Sequence, residues 1–202
     1  PFVFGKARDK DNKETYARAM KFFIIFTLLA FLVVMGYMDI LRHIIGRDYW
    51  VGLKVVPIVM AGGIMTGVYF NLSFWYKLID KTIWGAYFSG IGCAVIIEIN
   101  VIFVPQYGYI ACAWAGFLGN ATAMVLSYIV GQRKYPIDYP LKSIGVYVLI
   151  GGLFFAIISY TNANLSVAAA LGINTLVIIL FIAHVLYHDF PLQQLRKRFG
   201  KK

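Results

Sequence analysis

Very few side chains could do chemistry inside the apolar segments that make up most of this chain. Glu98 is the only carboxylate well within one of these segments, and Asn100 follows it two residues later. An ionisable residue inside hydrocarbon is costly and therefore marks a functional site by default. We expect Glu98 and Asn100 to line a polar pathway, in which Glu98 could bind and release a proton. The alternative is a structural role, with Glu98 paired to a polar neighbour or extended to the membrane surface.

A short basic loop supplies the second group of candidates. Lys77, Asp80 and Lys81 lie between two apolar segments. An ammonium group is a compact point charge that suits phosphate, so both lysines are candidates for contact with an anionic substrate. The alternative is that they anchor the loop at the membrane surface beside a local Lys–Asp ion pair.

Signatures of catalysis and of metal binding are missing from the sequence. We find no G-x-S-x-G elbow, no glycine-rich phosphate loop and no H-E-x-x-H helix. Cys93 and Cys112 lie inside apolar segments without metal-ligand spacing, and we expect them to be packing residues. The sequence therefore predicts no enzyme, no cofactor and no metal site.

Six apolar segments must position the candidate residues. A helix needs about 20 mostly apolar residues to cross the hydrocarbon of a bilayer, and each segment approaches that length with few or no charges. The sequence therefore predicts an all-α polytopic membrane protein, a bundle of six transmembrane helices. The predicted spans are Phe22–Met38, Val55–Tyr76, Thr82–Val104, Gly108–Val130, Ser143–Tyr160 and Ser166–Tyr187.

Basic residues are distributed unequally between the two sides of these spans. Six precede the first span, two lie in the second loop, three in the fourth loop and five in the tail, whereas three lie on the opposite side. The positive-inside rule then places both termini in the cytoplasm. This topology explains the net charge of +10, and no separate basic domain is present that would bind nucleic acid.

Local signals divide the chain further. Asp11 and Glu14 have the spacing of a capping box, which predicts that the lead-in, residues 1–21, is helical and continues into the first span. Residues 22–142 form a predicted four-helix part, residues 143–187 a terminal helix pair and residues 188–202 a basic cytoplasmic tail. For the tail from Pro191 onward, a short interfacial helix and an ordinary basic flank that frays remain alternatives.

Turn residues and small residues predict where helices end and pack. Pro105 is expected to end the third span, and Gly108 is expected to allow the fourth span to begin. Small residues at helix-packing spacing indicate close contacts in a compact bundle. They are Gly63 with Gly67, Ala115 with Gly119 and Ala123, Gly152 with Ala156, and Ala168 with Gly172.

Motifs across the second to fourth spans resemble those of a known transporter superfamily. They are Tyr49-x-x-Gly52-Leu53-x-x-Val56-Pro57, Leu72-Ser73-x-Trp75-Tyr76-Lys77-x-x-Asp80-Lys81-Thr82, the series from Asn100 through Ile102 and Pro105 to Tyr107-Gly108-Tyr109, and Tyr135-Pro136-Ile137. The chain resembles the C-terminal part of polysaccharide (O-antigen-type) flippases of the multidrug/oligosaccharidyl-lipid/polysaccharide exporter superfamily, especially Bacteroidetes lipopolysaccharide biosynthesis proteins. The resemblance covers roughly residues 1–145, and the last two spans match in hydropathy alone.

This resemblance implies a transporter of fourteen helices in two lobes, of which the chain would supply the last six. Because the chain begins at Pro1, we expect a missing N-terminal lobe of the same protein as a partner. The implied function is translocation of a polyprenyl-diphosphate-linked oligosaccharide across the bacterial inner membrane by alternating access, for cell-surface polysaccharide or lipopolysaccharide biosynthesis. Membrane lipids and this lipid-linked oligosaccharide are the implied partners.

The same resemblance implies roles for individual residues. Lys77 and Lys81 would meet the diphosphate on the cytoplasmic side, and the terminal helix pair could form a groove for the lipid tail. Glu98 departs from the family, in which an apolar residue is commoner at this point of the motif.

Three alternatives remain. A drug/cation antiporter of the same superfamily would need several buried carboxylates, whereas only Glu98 is present. A complete six-helix substrate-binding membrane component of the vitamin-uptake type should begin with its own Met, so Pro1 and the charged lead-in argue against it. The third alternative is a purely structural membrane subunit.

Overall fold

The computed structural model describes residues 12–189, and all regular structure in this range is helical. The predicted capping residue Asp11 and the predicted tail helix lie outside the described residues. In chain order the elements are α1 (Asn12–Gly36), α2 (Met38–Ile44), a 3₁₀ segment (Arg47–Val55), α3 (Val56–Leu72), α4 (Phe74–Leu78), α5 (Ile83–Tyr107), α6 (Tyr109–Lys134), α7 (Leu141–Asn164) and α8 (Val167–Asp189).

Six helical stretches are long and apolar enough to cross a membrane. Their surfaces carry large apolar side chains with no protein cover, such as Phe70 at 62 %, Val101 at 70 % and Leu149 at 74 % exposure. Water-soluble proteins rarely expose continuous apolar surface of this kind. The prediction of an all-α protein with six span-length helices is confirmed, whereas the fourteen-helix context stays a prediction.

The first and second spans differ in how they begin and end. The lead-in does continue into the first span, because α1 runs without interruption from Asn12 to Gly36. The second span is interrupted near its end, since α3 stops at Leu72 and the short helix α4 follows after Ser73. Between the first two spans, neither α2 nor the 3₁₀ segment has a buried residue.

The prediction that Pro105 stops the third span is wrong. Helix α5 includes Pro105 and ends at Tyr107. Proline lacks only its own N–H, so one ring in the last turn removes one hydrogen bond without ending the helix. Gly108 ends it instead, with a φ of 57° that a residue with a side chain rarely adopts, while its N–H donates to the Val104 carbonyl at 2.8 Å.

The chain forms two compact units, and each is described separately. Unit 1 contains residues 12–24 and Asp48–Ser143; unit 2 contains Ile25–Arg47 and residues 144–189. In unit 1, α6 packs against both α3 and α5. This is possible because α6 presents small buried residues at every fourth position, namely Ala111, Ala115, Gly119, Ala123, Ser127 and Gly131.

Glycines set the closest approaches to α6. A Cβ on Gly92 of α5 would lie 2.9 Å from the Gly119 carbonyl oxygen, and a Cβ on Gly119 would lie 2.7 Å from the Gly92 oxygen. Contact at this distance tolerates no side chain on either residue. The predicted stripe of Ala115, Gly119 and Ala123 is therefore confirmed as a packing surface.

The predicted pairing of Gly63 with Gly67 is wrong. Gly63 has no heavy atom within 4 Å of an added Cβ, whereas Gly62 faces the Phe117 backbone at 3.3 Å and Gly67 faces the Phe23 ring. Open space also surrounds Gly152 and Gly172 in the described structure. Spacing alone could not predict which glycine faces another helix, because the rotation of each helix is set by tertiary packing.

A buried polar network joins α1, α7 and α8 in unit 2. The Asn174 amide, which is fully buried, donates to the Gly36 carbonyl at 3.0 Å and to Asn162 Oδ1 at 2.8 Å. Its own oxygen accepts from the Thr161 hydroxyl at 2.7 Å. Asn162 donates in turn to the Met35 carbonyl at 3.2 Å. The network thus satisfies carbonyls that the end of α1 leaves without intrahelical partners.

Candidate functional site

A buried tryptophan fixes the short helix α4, which leads into the basic loop of residues 77–81 in unit 1. Trp75 of α4 is 1 % exposed, and its Nε1–H donates to Ser127 Oγ at 3.4 Å. Gly131 of α6 leaves room for the ring, since a Cβ there would lie 2.8 Å from Trp75 Nε1. Two small residues of α6 therefore fix the position of α4.

Lys77 and Lys81 both lie exposed at the ends of this loop. The Lys77 ammonium is 5.8 Å from the centre of the Phe74 ring, and the Lys81 N–H donates to the Tyr76 carbonyl at 2.8 Å. Asp80 adopts a φ of 53°, which aspartate tolerates better than most residues. Within residues 12–189, neither lysine forms the ion pair with Asp80 that the structural alternative required.

Glu98 lies exposed on α5. It follows the buried Gly92 by six residues, which places it about one-third of a turn around the helix from the α6 contact. One and two turns earlier on the same line are Ala94 and Gly90, both exposed. Glu98 is therefore part of a helix face that no described element of unit 1 covers.

Asn100 points away from Glu98. Two residues apart on a helix are about 200° apart in direction, so the pair does not form one site. Asn100 Nδ2 donates to the Ile96 carbonyl at 2.9 Å, while its Oδ1 is buried without a hydrogen-bond partner among the described residues. That both residues line a polar pathway stays a prediction.

The predicted lysines precede α5, whereas the predicted carboxylate lies within it. Lys81 precedes the start of α5 by two residues. Glu98 lies about 22 Å along the helix axis from Ile83, the first residue of α5, at 1.5 Å per residue. The structure thus does not bring the candidate residues into one cluster: Lys77 and Lys81 lie before α5, and Glu98 and Asn100 lie within it.

An apolar groove lies between the C-terminal end of α5 and the N-terminal part of α6. Its volume is about 350 Å³, and aliphatic and aromatic side chains line it. The groove is lined by Ile99, Phe103, Tyr107, Ile110, Ala111, Trp114 and Leu118. The sequence reasoning missed this feature, and the aromatic residues near the turn at Gly108 are the signal that could have indicated it.

Metal-ligand geometry is not found in the described range, where no group of three His, Cys, Asp or Glu side chains could hold an ion. Comparison of the chain with protein-family models, with curated proteins and with solved structures found no match. The fold and site define a chain with six helices suited to a multi-pass membrane protein.

Proposed function

We propose that the protein to which this chain belongs moves a polyprenyl-diphosphate-linked oligosaccharide across the bacterial inner membrane. The chain is the C-terminal six-helix part of a two-lobed transporter that works by alternating access. Both of its ends lie in the cytoplasm. The substrate's diphosphate first meets Lys77 and Lys81, and the missing N-terminal lobe completes the pathway.

The observation that carries this proposal is the uncovered carboxylate on α5. Glu98 is exposed within a helix that is otherwise apolar and of span length. An acidic side chain at membrane depth costs about 3 kcal/mol when it faces lipid. The face that carries Glu98 is therefore better suited to a hydrated pathway or to a polar partner than to lipid.

Two other features suit a lipid-linked anionic substrate. Lys77 and Lys81 are exposed before the start of α5, without an acidic partner in the described structure, and can donate to a phosphate group. The groove between α5 and α6 has the apolar lining that a hydrocarbon tail requires. Neither feature suits the cationic substrate of a drug/cation antiporter as well.

Replacing both lysines tests the substrate. Full-length protein carrying Lys77→Gln and Lys81→Gln should insert normally and export about tenfold less glycan, because two phosphate contacts are lost. Lys54→Gln serves as the control, since Lys54 is also exposed and lies in the 3₁₀ segment away from this loop. Export of surface glycan at the parental rate from normal amounts of the double variant would exclude the proposed contact.

Replacing Glu98 tests the pathway. Glu98→Gln keeps the shape of the side chain and removes its charge. If a proton on Glu98 drives the transport cycle, the variant should insert normally and lose the dependence of glycan export on external pH. An unchanged rate and an unchanged pH profile would make Glu98 a structural residue.

A further inference from the structure

Three lysines of unit 1 lie over aromatic rings. The Lys13 ammonium is 4.6 Å from the centre of the Tyr135 ring. The Lys134 ammonium is 5.3 Å from the Trp84 ring, and the Lys77 ammonium is 5.8 Å from the Phe74 ring. These distances are those of cation–π contacts. We call these three lysines and their three rings the lysine–aromatic platform.

The rings of the platform belong to two adjoining buried clusters. Phe74 and Tyr135 pack against the cluster of Tyr16, Ala17 and Ile137. Tyr135 also packs, together with Trp84, against the cluster that contains Trp75. Because Tyr135 belongs to both sets, the rings under the lysines from the start of α1, from α4 and from the end of α6 pack against adjoining clusters of unit 1.

Tyr16, which stacks on one ring of the platform, has a hydroxyl donor without an acceptor in the described structure. Tyr16 is 5 % exposed, stacks on Phe74 with ring centres 5.2 Å apart, and has a hydroxyl without a hydrogen-bond partner in the described part of the chain. An unpaired buried donor costs free energy that an acceptor, such as a phosphate oxygen or a water, would recover.

The segments that carry the platform lysines are strongly positive in net charge. Residues 12–21, 77–81 and 131–142 contain eight basic residues and three acidic ones. One of the acidic residues, Glu14, is already paired with Arg18 at 2.7 Å. Burial, with a smaller effect of nearby Tyr128, raises the pKa of Tyr139 to about 12, so this loop tyrosine stays neutral and does not cancel the lysines.

From this geometry we propose that the lysine–aromatic platform is a binding site for the phosphate headgroup of a membrane lipid. The rings hold the ammonium groups in place without neutralising them, so less side-chain freedom is lost when a phosphate binds. An ordinary flank of basic residues would attract anionic lipid diffusely, whereas the platform should bind one headgroup saturably. The inference needs the membrane location of the chain but not the proposed translocation.

Paired variants with the same change of charge test this site. Full-length protein in neutral detergent is titrated with fluorescent short-chain phosphatidic acid. The affinity of the parental protein for this lipid is compared with the affinities of two double variants, Lys13→Gln/Lys134→Gln and Lys54→Gln/Lys142→Gln. Lys54 and Lys142 are exposed without a ring contact in the described structure. Loss of two lysine contributions should weaken binding by roughly 30-fold in the first variant and by less than about threefold in the control.

Further arms of the experiment separate the possible outcomes. Lys13→Arg/Lys134→Arg should restore binding, because arginine also lies over aromatic rings. Equal weakening in both Gln variants, or no saturation, would reduce the platform to diffuse electrostatic attraction. Equally tight binding of inorganic phosphate would overturn the lipid assignment. Lys77 is unchanged throughout, so the result is independent of the test of glycan export.

Discussion

At the scale of single residues, Asn174 illustrates why a polar side chain can be stable among apolar helices. Its amide nitrogen donates to the Gly36 carbonyl and to Asn162, and its amide oxygen accepts from the Thr161 hydroxyl. Asn174 lies within the predicted span Ser166–Tyr187, but the sequence cannot identify its partners, because Gly36 is 138 residues away. A buried polar group whose bonds are all satisfied is better suited to structure than to substrate binding.

We predict that Asn174→Ala destabilises the protein. The substitution removes the hydrogen bonds that Asn174 donates to the Gly36 carbonyl and to Asn162 Oδ1, at a cost of about 1–3 kcal/mol in the free energy of unfolding. Thermal or SDS unfolding of purified protein measures this cost. Asn164→Ala is the matched control, because Asn164 is exposed and donates only to the Tyr160 carbonyl in its own helix. Equal stability of the two variants would contradict the role given to the network.

Glu98 and Asn100 show the limit of sequence reasoning at this scale. The sequence identifies both residues correctly as polar groups within an apolar span. Their nearness in sequence suggested one site, but the helix turns them in different directions. Only the packing of α5 on α6, fixed at Gly92, determines that Glu98 is exposed and Asn100 half-buried.

At the scale of elements, the contact between α5 and α6 depends on two glycines. We predict that Gly119→Ala separates these helices, because the new Cβ would lie 2.7 Å from the Gly92 oxygen. Overpacking of this kind costs about 1–3 kcal/mol, which the unfolding midpoint in detergent should register. The control is Gly116→Ala, three residues earlier on α6, where an added Cβ meets no atom within 4 Å. A larger loss of stability in Gly116→Ala than in Gly119→Ala would contradict the described packing.

The helices themselves are predictable because long apolar runs are a strong and local signal. Their exact ends are not, as Pro105 and Gly108 show. A proline in the last turn is tolerated, whereas the positive φ of Gly108 terminates α5. The groove beside that turn depends on how α5 and α6 diverge, and this is a property of their packing.

At the scale of the whole molecule, the distribution of lysine and arginine predicts the orientation. Gln106 and Asp80 are both exposed; Asp80 precedes the first residue of α5, and Gln106 lies in its last turn. In a background of Cys93→Ser and Cys112→Ser, an impermeant thiol reagent outside intact cells should label a cysteine at position 106 and leave one at position 80 unlabelled. The reverse labelling would invert the topology and remove Lys77 and Lys81 from the cytoplasm.

Translocation of a lipid-linked anionic glycan is the central claim, and it can be measured directly. Full-length protein is reconstituted into liposomes that contain polyprenyl-diphosphate-linked oligosaccharide, and an impermeant glycosidase added outside reports the accessible fraction. Liposomes with the protein should expose the lumenal half of the substrate to cleavage, and the Lys77→Gln/Lys81→Gln variant should do so about tenfold more slowly. If only the half of the substrate that starts in the outer leaflet is cleaved, although folded and correctly oriented protein is present, the account is contradicted.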